Sequence, residues 1–166
     1  TKNPLARVAC AVSHYKLWKA CFGLNKPILI MEHDAIFIRR LNPYYDILDD
    51  KRFDIIGLNY PIGNTRRAQA FLDKRNAAQD GMLQRGLVDT DIVPVPTIDS
   101  FDVPQGLAGN SAYIIKPNGA KALLAAVQQY GLWPNDAIMC RQLIPRMGVT
   151  KGDFTTTQGT ASTTSQ

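Results

Sequence analysis

Cysteine is scarce in this chain: Cys10, Cys21 and Cys140, an odd set of three with no CxxC pair in 166 residues. That excludes a disulfide framework and reads as free, buried thiols in a reducing, cytoplasmic setting. Long apolar runs are also missing. Runs such as Ile28-Leu29-Ile30-Met31 fall far short of the roughly 20 residues a membrane span needs. No signal-peptide h-region follows the opening Thr1-Lys2-Asn3-Pro4, and that start, without Met, reads as a piece of a longer chain. Basic runs are absent too. Nineteen Lys and Arg against fourteen Asp and Glu leave a net charge of +5, which suits an anionic ligand such as a nucleotide or a phosphate. The tightest basic pairs are only Arg39-Arg40 and Arg66-Arg67, without the interleaved aromatics of single-strand binders, so nucleic acid is not the expected partner. There is no GxSxG elbow, no GxGxxG loop, no P-loop and no internal repeat.

What is present is core-forming. With 45% hydrophobic and 20% charged residues, the chain has the makings of about one domain, since domains run roughly 100–200 residues. Asn3-Pro4 is a helix start. Leu5, Val8, Val12 and Tyr15 keep helical spacing after it, Cys10, His14, Trp18 and Cys21 form a second stripe, and Gly23 is the expected stop. Two apolar stripes predict a helix buried on two sides against a sheet. Residues 28–31 read as a strand of the central parallel kind, residues 54–59 as a second buried strand and residues 111–115 as a third. Short helices are expected after Asn42-Pro43, from Ala120 to Gln129, and from Pro134 to about Leu143. Residues 61–106 are polar and mixed, a long insertion with 66–85 helical and Val93-Pro94-Val95-Pro96 extended. Loops this long are usually functional. The expected domain is 1–154, with 155–166 a polar, flexible tail. Helices alternating with buried strands predict an α/β layered domain with a central, mostly parallel sheet.

Glu32-His33-Asp34 is the sharpest chemical signal. It follows a buried strand directly, where ligands of open α/β sheets bind. Two carboxylates two residues apart can converge on a hard cation that holds a diphosphate; equally, Asp34 can cap a turn while Glu32 is a solvated strand end. His14 shares its stripe with Cys10 and Cys21, but three ligands on one helix lack a fourth at recognisable spacing, so a packed core histidine is expected there. Ser13 and His14 are adjacent on a helix and point about 100° apart, so they form no hydrolase dyad. Asp136 sits at a helix start, which favours a carboxylate whatever its function.

Five segments together resemble glycosyltransferase family 25, the lipopolysaccharide-biosynthesis and collagen-galactosyltransferase type. ACAVSHYKLW at residues 9–18 is similar to the family's GC-x-x-SH-x-x-x-W helix, and ILIMEHDAIF at 28–37 to its hhhLEDDhhF strand. Residues 54–58 resemble its wDhhhLg strand, and GNSAYIIKPNGAKALL at 109–124 its G-x-x-aYhhs block. Trp133-Pro134-Asn135-Asp136 resembles the P-x-D element that follows. The resemblance implies a GT-A-like (Rossmann-like) fold and transfer of a sugar from a nucleotide-sugar donor, a UDP-sugar, to a hydroxyl or glycan acceptor. It places Mn²⁺ or Mg²⁺ on Asp34 with Glu32 as partner, although His33 stands where the motif has its middle acid. Asp136 becomes the acceptor-side carboxylate or general base, and Ser13 and His14 lie near the donor or beneath it. It also implies a leading strand and a nucleotide-contacting segment ahead of the Ser-His helix, which the sequence as given does not carry. The alternative expectation is a glycosyltransferase-like binding or interaction module without catalysis.

Overall fold

The computed structural model describes residues 3–42, 44–60, 68–84, 92–98, 106–107 and 110–159. The described chain runs α1 (Pro4–Leu24), β1 (Ile28–Met31), β2 (Ala35–Phe37), α2 (Tyr44–Asp49), β3 (Ile55–Gly57), α3 (Ala68–Gln84), β4 (Ile92–Pro94), β5 (Ala112–Ile115), α4 (Pro117–Tyr130), α5 (Asn135–Ile138), β6 (Met147–Thr150) and β7 (Thr155–Thr157).

The layered α/β architecture expected from the sequence is present, around a five-stranded sheet of order β1-β5-β3-β6-β4. The sheet is mixed. β1, β3 and β6 share one direction, but β5 is inserted antiparallel between β1 and β3, and β4 closes the far edge antiparallel to β6. The one parallel junction is β3 with β6. β1 is therefore an edge strand, half-buried along most of its length, and not the central strand its apolar run suggested.

Strand alternation divides the core in two. Tyr113 and Ile115 of β5 join Ile55, Met147 and Val149 in a core with Trp18 and Cys21 of α1 and Leu123 and Ala126 of α4. Ala112 and Ile114 turn to the other face, where they meet Ile56, Leu58, Phe154 and Ile47 of α2.

Helix α1 starts as its sequence dictates: Asn3 Oδ1 accepts the Ala6 N–H at 3.0 Å, with Pro4 in the first turn. It runs to Leu24, one residue past the expected stop at Gly23, and is capped by Asn25 in the left-handed conformation (φ 50°). It is also buried on one side only. Ala11, His14, Trp18 and Cys21 face the sheet, whereas Leu5 and Val8 are 80% and 57% exposed. Among the described residues the first stripe, which opens with Leu5 and Val8, has no layer to pack on in its N-terminal half.

Two further expectations change. The last helix stops at Ile138, because Cys140 leaves it to form a bridge with Gly106. The polar tail begins as strand β7, which pairs antiparallel with β2, so Thr155, Thr156 and Thr157 are ordered by a partner; residues 160–166 lie outside the described ones. β6 was not expected as a strand. Within 61–106 the expected helix and extended stretch are present as α3 and β4. Phe71 of α3 and Val93 and Val95 around β4 enter the core, and buried Arg75 bonds Asp153 at 2.6 Å. Arg66 and Arg67 lie outside the described residues.

Helix α4 approaches β3 closely through Gly119, where a Cβ would stand 2.7 Å from the Asp54 carbonyl oxygen and 2.8 Å from Ile55 Cγ1. Backbone cannot yield as a side chain can. Gly119→Ala should therefore cost about 1–3 kcal/mol of stability by overpacking, read as a lower urea midpoint; an unchanged midpoint would contradict this packing.

Candidate active site

β1 delivers Glu32 to the edge of the sheet. The Glu32 N–H donates to the Ser111 carbonyl at 2.8 Å, one step past the Met31–Ala112 pair, so the strand's register carries on to the acidic triplet. The Ala35 N–H then donates to the Glu32 carbonyl at 3.0 Å and closes a turn. His33 is exposed on this turn, and the Asp34 carbonyl accepts the Gln158 N–H at 2.9 Å, which ties the turn to the end of β7.

Helix α1 brings the second group. Its residues His14 and Trp18 are one turn apart and so lie on one face. Both reach the hydroxyl of Tyr113, which is fully buried on β5. Trp18 Nε1 donates to it at 2.9 Å, and His14 Nδ1 lies 2.8 Å from it, with the two rings stacked at 5.8 Å between centroids. Burial, ahead of the charge of Glu32, pushes the Tyr113 phenol well above its ordinary range, so it stays neutral. The other ring nitrogen, His14 Nε2, is 3.5 Å from Glu32 Oε1. One turn earlier stands Cys10, and the Cys10 Sγ, a His14 ring nitrogen and a Glu32 oxygen all lie within 4.8 Å of one another.

Asp136 enters from α5. Its residue is exposed, in the first turn, and its charge reaches the same thiol: burial first, then Glu32 and Asp136, push the Cys10 thiol up. Cys10 also lies 4.0 Å from Asn135 Oδ1. A protonated thiol beside two carboxylates is the reverse of an activated nucleophile. The structure thus gathers His14, Glu32 and Asp136 around Cys10. Ser13 does not join them. It is exposed, and its hydroxyl donates to the Ala9 carbonyl at 2.9 Å within α1, the adjacent helical position having turned it away from the sheet.

Buried polar atoms without a hydrogen-bond partner mark the same place. Among the described residues they include Asp34 Oδ1, Asn110 Oδ1, Ser111 Oγ, Asn135 Nδ2 and Thr155 Oγ1. These belong to the turn after β1, the approach to β5, α5 and β7. All lie near the carboxyl ends of β1 and β3, since the Leu58 N–H bonds the Ala112 carbonyl and Asn59 bridges Thr155. Each such atom costs about 1–3 kcal/mol when left unpaired, so a cluster of them points to something polar that binds there. Sequence reading missed this polar rim and missed Tyr113 as the partner of His14 and Trp18. The signal available was the helical spacing of His14 and Trp18.

The model of glycosyltransferase family 25 (LPS biosynthesis protein) matches residues 4–139. The chain belongs to that family. The match begins with α1 and ends just past α5, so it encloses Cys10, His14, Glu32, Asp34, Tyr113 and Asp136. No curated protein and no solved structure matches this chain. Membership of family 25 makes glycosyl transfer the activity in kind, with a sugar donor and an acceptor. No described helix is long and apolar enough to cross a membrane.

The state of the Cys10 thiol gives a direct check on this geometry. Its raised pKa leaves less thiolate near pH 8 than a free cysteine has, so iodoacetamide should alkylate it slowly, and faster as pH rises. Glu32→Gln removes one of the charges that raise it and should speed alkylation at a fixed pH, followed by mass spectrometry. Equal rates in the two proteins would show that Glu32 does not face Cys10. Separately, His14→Ala should lower stability by about 1–3 kcal/mol, through the cavity and the orphaned Tyr113 hydroxyl, measured by chemical denaturation.

Proposed function

We propose that this chain transfers a sugar from a nucleotide-sugar donor, a UDP-sugar, to a hydroxyl of a glycan acceptor, at the polar edge beyond β1 and β3. The observation that carries this reading is Asp34 Oδ1: a carboxylate oxygen, buried, with no partner among the described residues, on the turn directly after β1. A desolvated carboxylate is costly unless a cation or a donor meets it. Oxygen ligands suit Mn²⁺ or Mg²⁺, so the residues fit such an ion, and Asp34 with Glu32 would hold it. When bound, the cation supplies positive charge to the diphosphate that leaves the sugar.

The chain's own groups have separate tasks in this reading. Asp34 and Glu32 would hold the divalent cation that offsets the charge of the donor's diphosphate. Asp136, exposed beside Cys10, accepts the proton of the acceptor hydroxyl as a general base. His14 stands behind Glu32 and touches no substrate. Ser13, on the outward face of α1, has no part in it. The GT-A type of fold suits the sheet's mixed order, and the family's lipopolysaccharide description makes a bacterial-type glycan the acceptor to try first. Three free thiols suit a reducing, cytoplasmic setting.

Asp34→Asn should abolish Mn²⁺-dependent UDP binding in calorimetry while leaving the ligand-free thermal midpoint nearly unchanged. Undiminished affinity would refute the assignment, and a large stability loss would show that Asp34 serves the turn instead. Hydrolysis of UDP-sugars with Mn²⁺ separates catalysis from a module that binds without turnover.

A further inference from the structure

We infer that Trp18, Tyr113 and His14 form a hydrogen-bond chain of fixed direction that holds His14 in its Nε2–H tautomer and so aims the Glu32 carboxylate. In this view Trp18 and Tyr113 are positioning residues, acting on the donor site through His14. The positioning role rests on the proposed donor site; the tautomer does not.

The direction follows from counting protons. An indole N–H can only donate, so Tyr113 Oη accepts from Trp18 at 2.9 Å. The phenol has one hydrogen of its own, and among the described residues its one remaining partner is His14 Nδ1 at 2.8 Å. Tyr113 therefore donates and Nδ1 accepts. A neutral imidazole that accepts at one nitrogen carries its hydrogen on the other. That other nitrogen, Nε2, is the one that faces Glu32 Oε1 at 3.5 Å.

The opposite arrangement fails twice. With the hydrogen on Nδ1, His14 would donate to Tyr113, and the phenol hydrogen would be left in a fully buried site without an acceptor. The bare lone pair of Nε2 would then point at a carboxylate, negative against negative. Both faults act in the same sense, so the chain selects one tautomer. The same count removes His14 from the metal ligands. Cys10, His14 and Glu32 are close enough to suggest a zinc site, but a ligating nitrogen must be bare, and here Nδ1 is taken by Tyr113 and Nε2 bears the hydrogen. At 3.5 Å the Nε2–H restrains Glu32 without saturating it, which leaves the half-exposed carboxylate free to bind as well.

Long-range nitrogen–proton NMR of the two histidines tests this on the free protein. His14 should show one protonated and one bare ring nitrogen, with Nδ1 the bare one, while exposed His33 should show the averaged pattern of exchanging tautomers. Tyr113→Phe keeps the ring and removes the hydroxyl. Its His14 should lose the single tautomer, and the Mn²⁺ concentration that half-saturates UDP binding should rise roughly 3- to 10-fold, as expected for one hydrogen bond to a charged group's neighbour. An Nδ1–H tautomer in the unaltered protein would overturn the chain. A lost tautomer with an unchanged Mn²⁺ requirement would overturn its positioning role. If the unaltered protein shows the tautomer but binds no UDP with Mn²⁺, the donor-site reading fails instead. Should Tyr113→Phe not fold, Trp18→Phe, which removes the upstream donor from the same hydroxyl, is read by the same two signals.

Discussion

The Tyr113 hydroxyl is the contact on which the rest of the arrangement depends. A phenol buried at the centre of β5 must find partners, and both come from α1, 95 and 99 residues earlier in the chain. Because His14 and Trp18 are one helical turn apart, bonding both to one oxygen fixes the rotation of α1 about its axis. That rotation decides which stripe goes inward. It places Cys10 over the end of β1 and leaves Leu5 and Val8 in solvent. It also accounts for the joint placement of three of the family's motif residues, one of which lies on a strand and two on a helix.

The sheet supplies the other half of the site. β1, β3 and β6 run in one direction, so their carboxyl ends share an edge, the edge at which open α/β sheets bind ligands. Antiparallel β5 starts at that edge, which is why Ser111 meets Glu32 there. β7 returns alongside β2 and adds Thr155. The result is a rim of polar side chains held by main-chain register, with hydrogen-bonding capacity that no described residue uses. A rigid edge with unspent polar groups is what the proposed donor site requires to hold a charged donor.

Much of this was legible in the sequence, for identifiable reasons. Residues 28–31, 54–59 and 111–115 are compact apolar runs, and each contains a strand. The acidic triplet was placed by following one of those runs, and the separation of Ser13 from His14 by helical geometry alone. β6 was not legible, because Met147-Gly148-Val149-Thr150 is short, carries a glycine, and becomes a strand by pairing with β3, about ninety residues earlier. The threonines of β7 read as tail for the same reason, since their partner β2 lies far upstream. The apolar content of β1 suggested a centre strand, but no pattern within four residues distinguishes an edge covered by a helix from a centre. In the site, the helical spacing of His14 and Trp18 was visible. That both would close on one tyrosine hydroxyl is a long-range fact that no local pattern holds.

The central claim is that the polar edge beyond β1 and β3 is where the donor binds, and Mn²⁺ itself can report on it. Adding substoichiometric Mn²⁺ with UDP to the isotope-labelled protein should broaden the amide signals of residues 32–35 and 110–113 first, with Cys10 and His14 next, while the amides of α2 and the far end of α4 stay sharp. Broadening centred instead on the acidic residues Asp46, Asp49 and Asp50 around α2, or none that depends on UDP, would contradict the account.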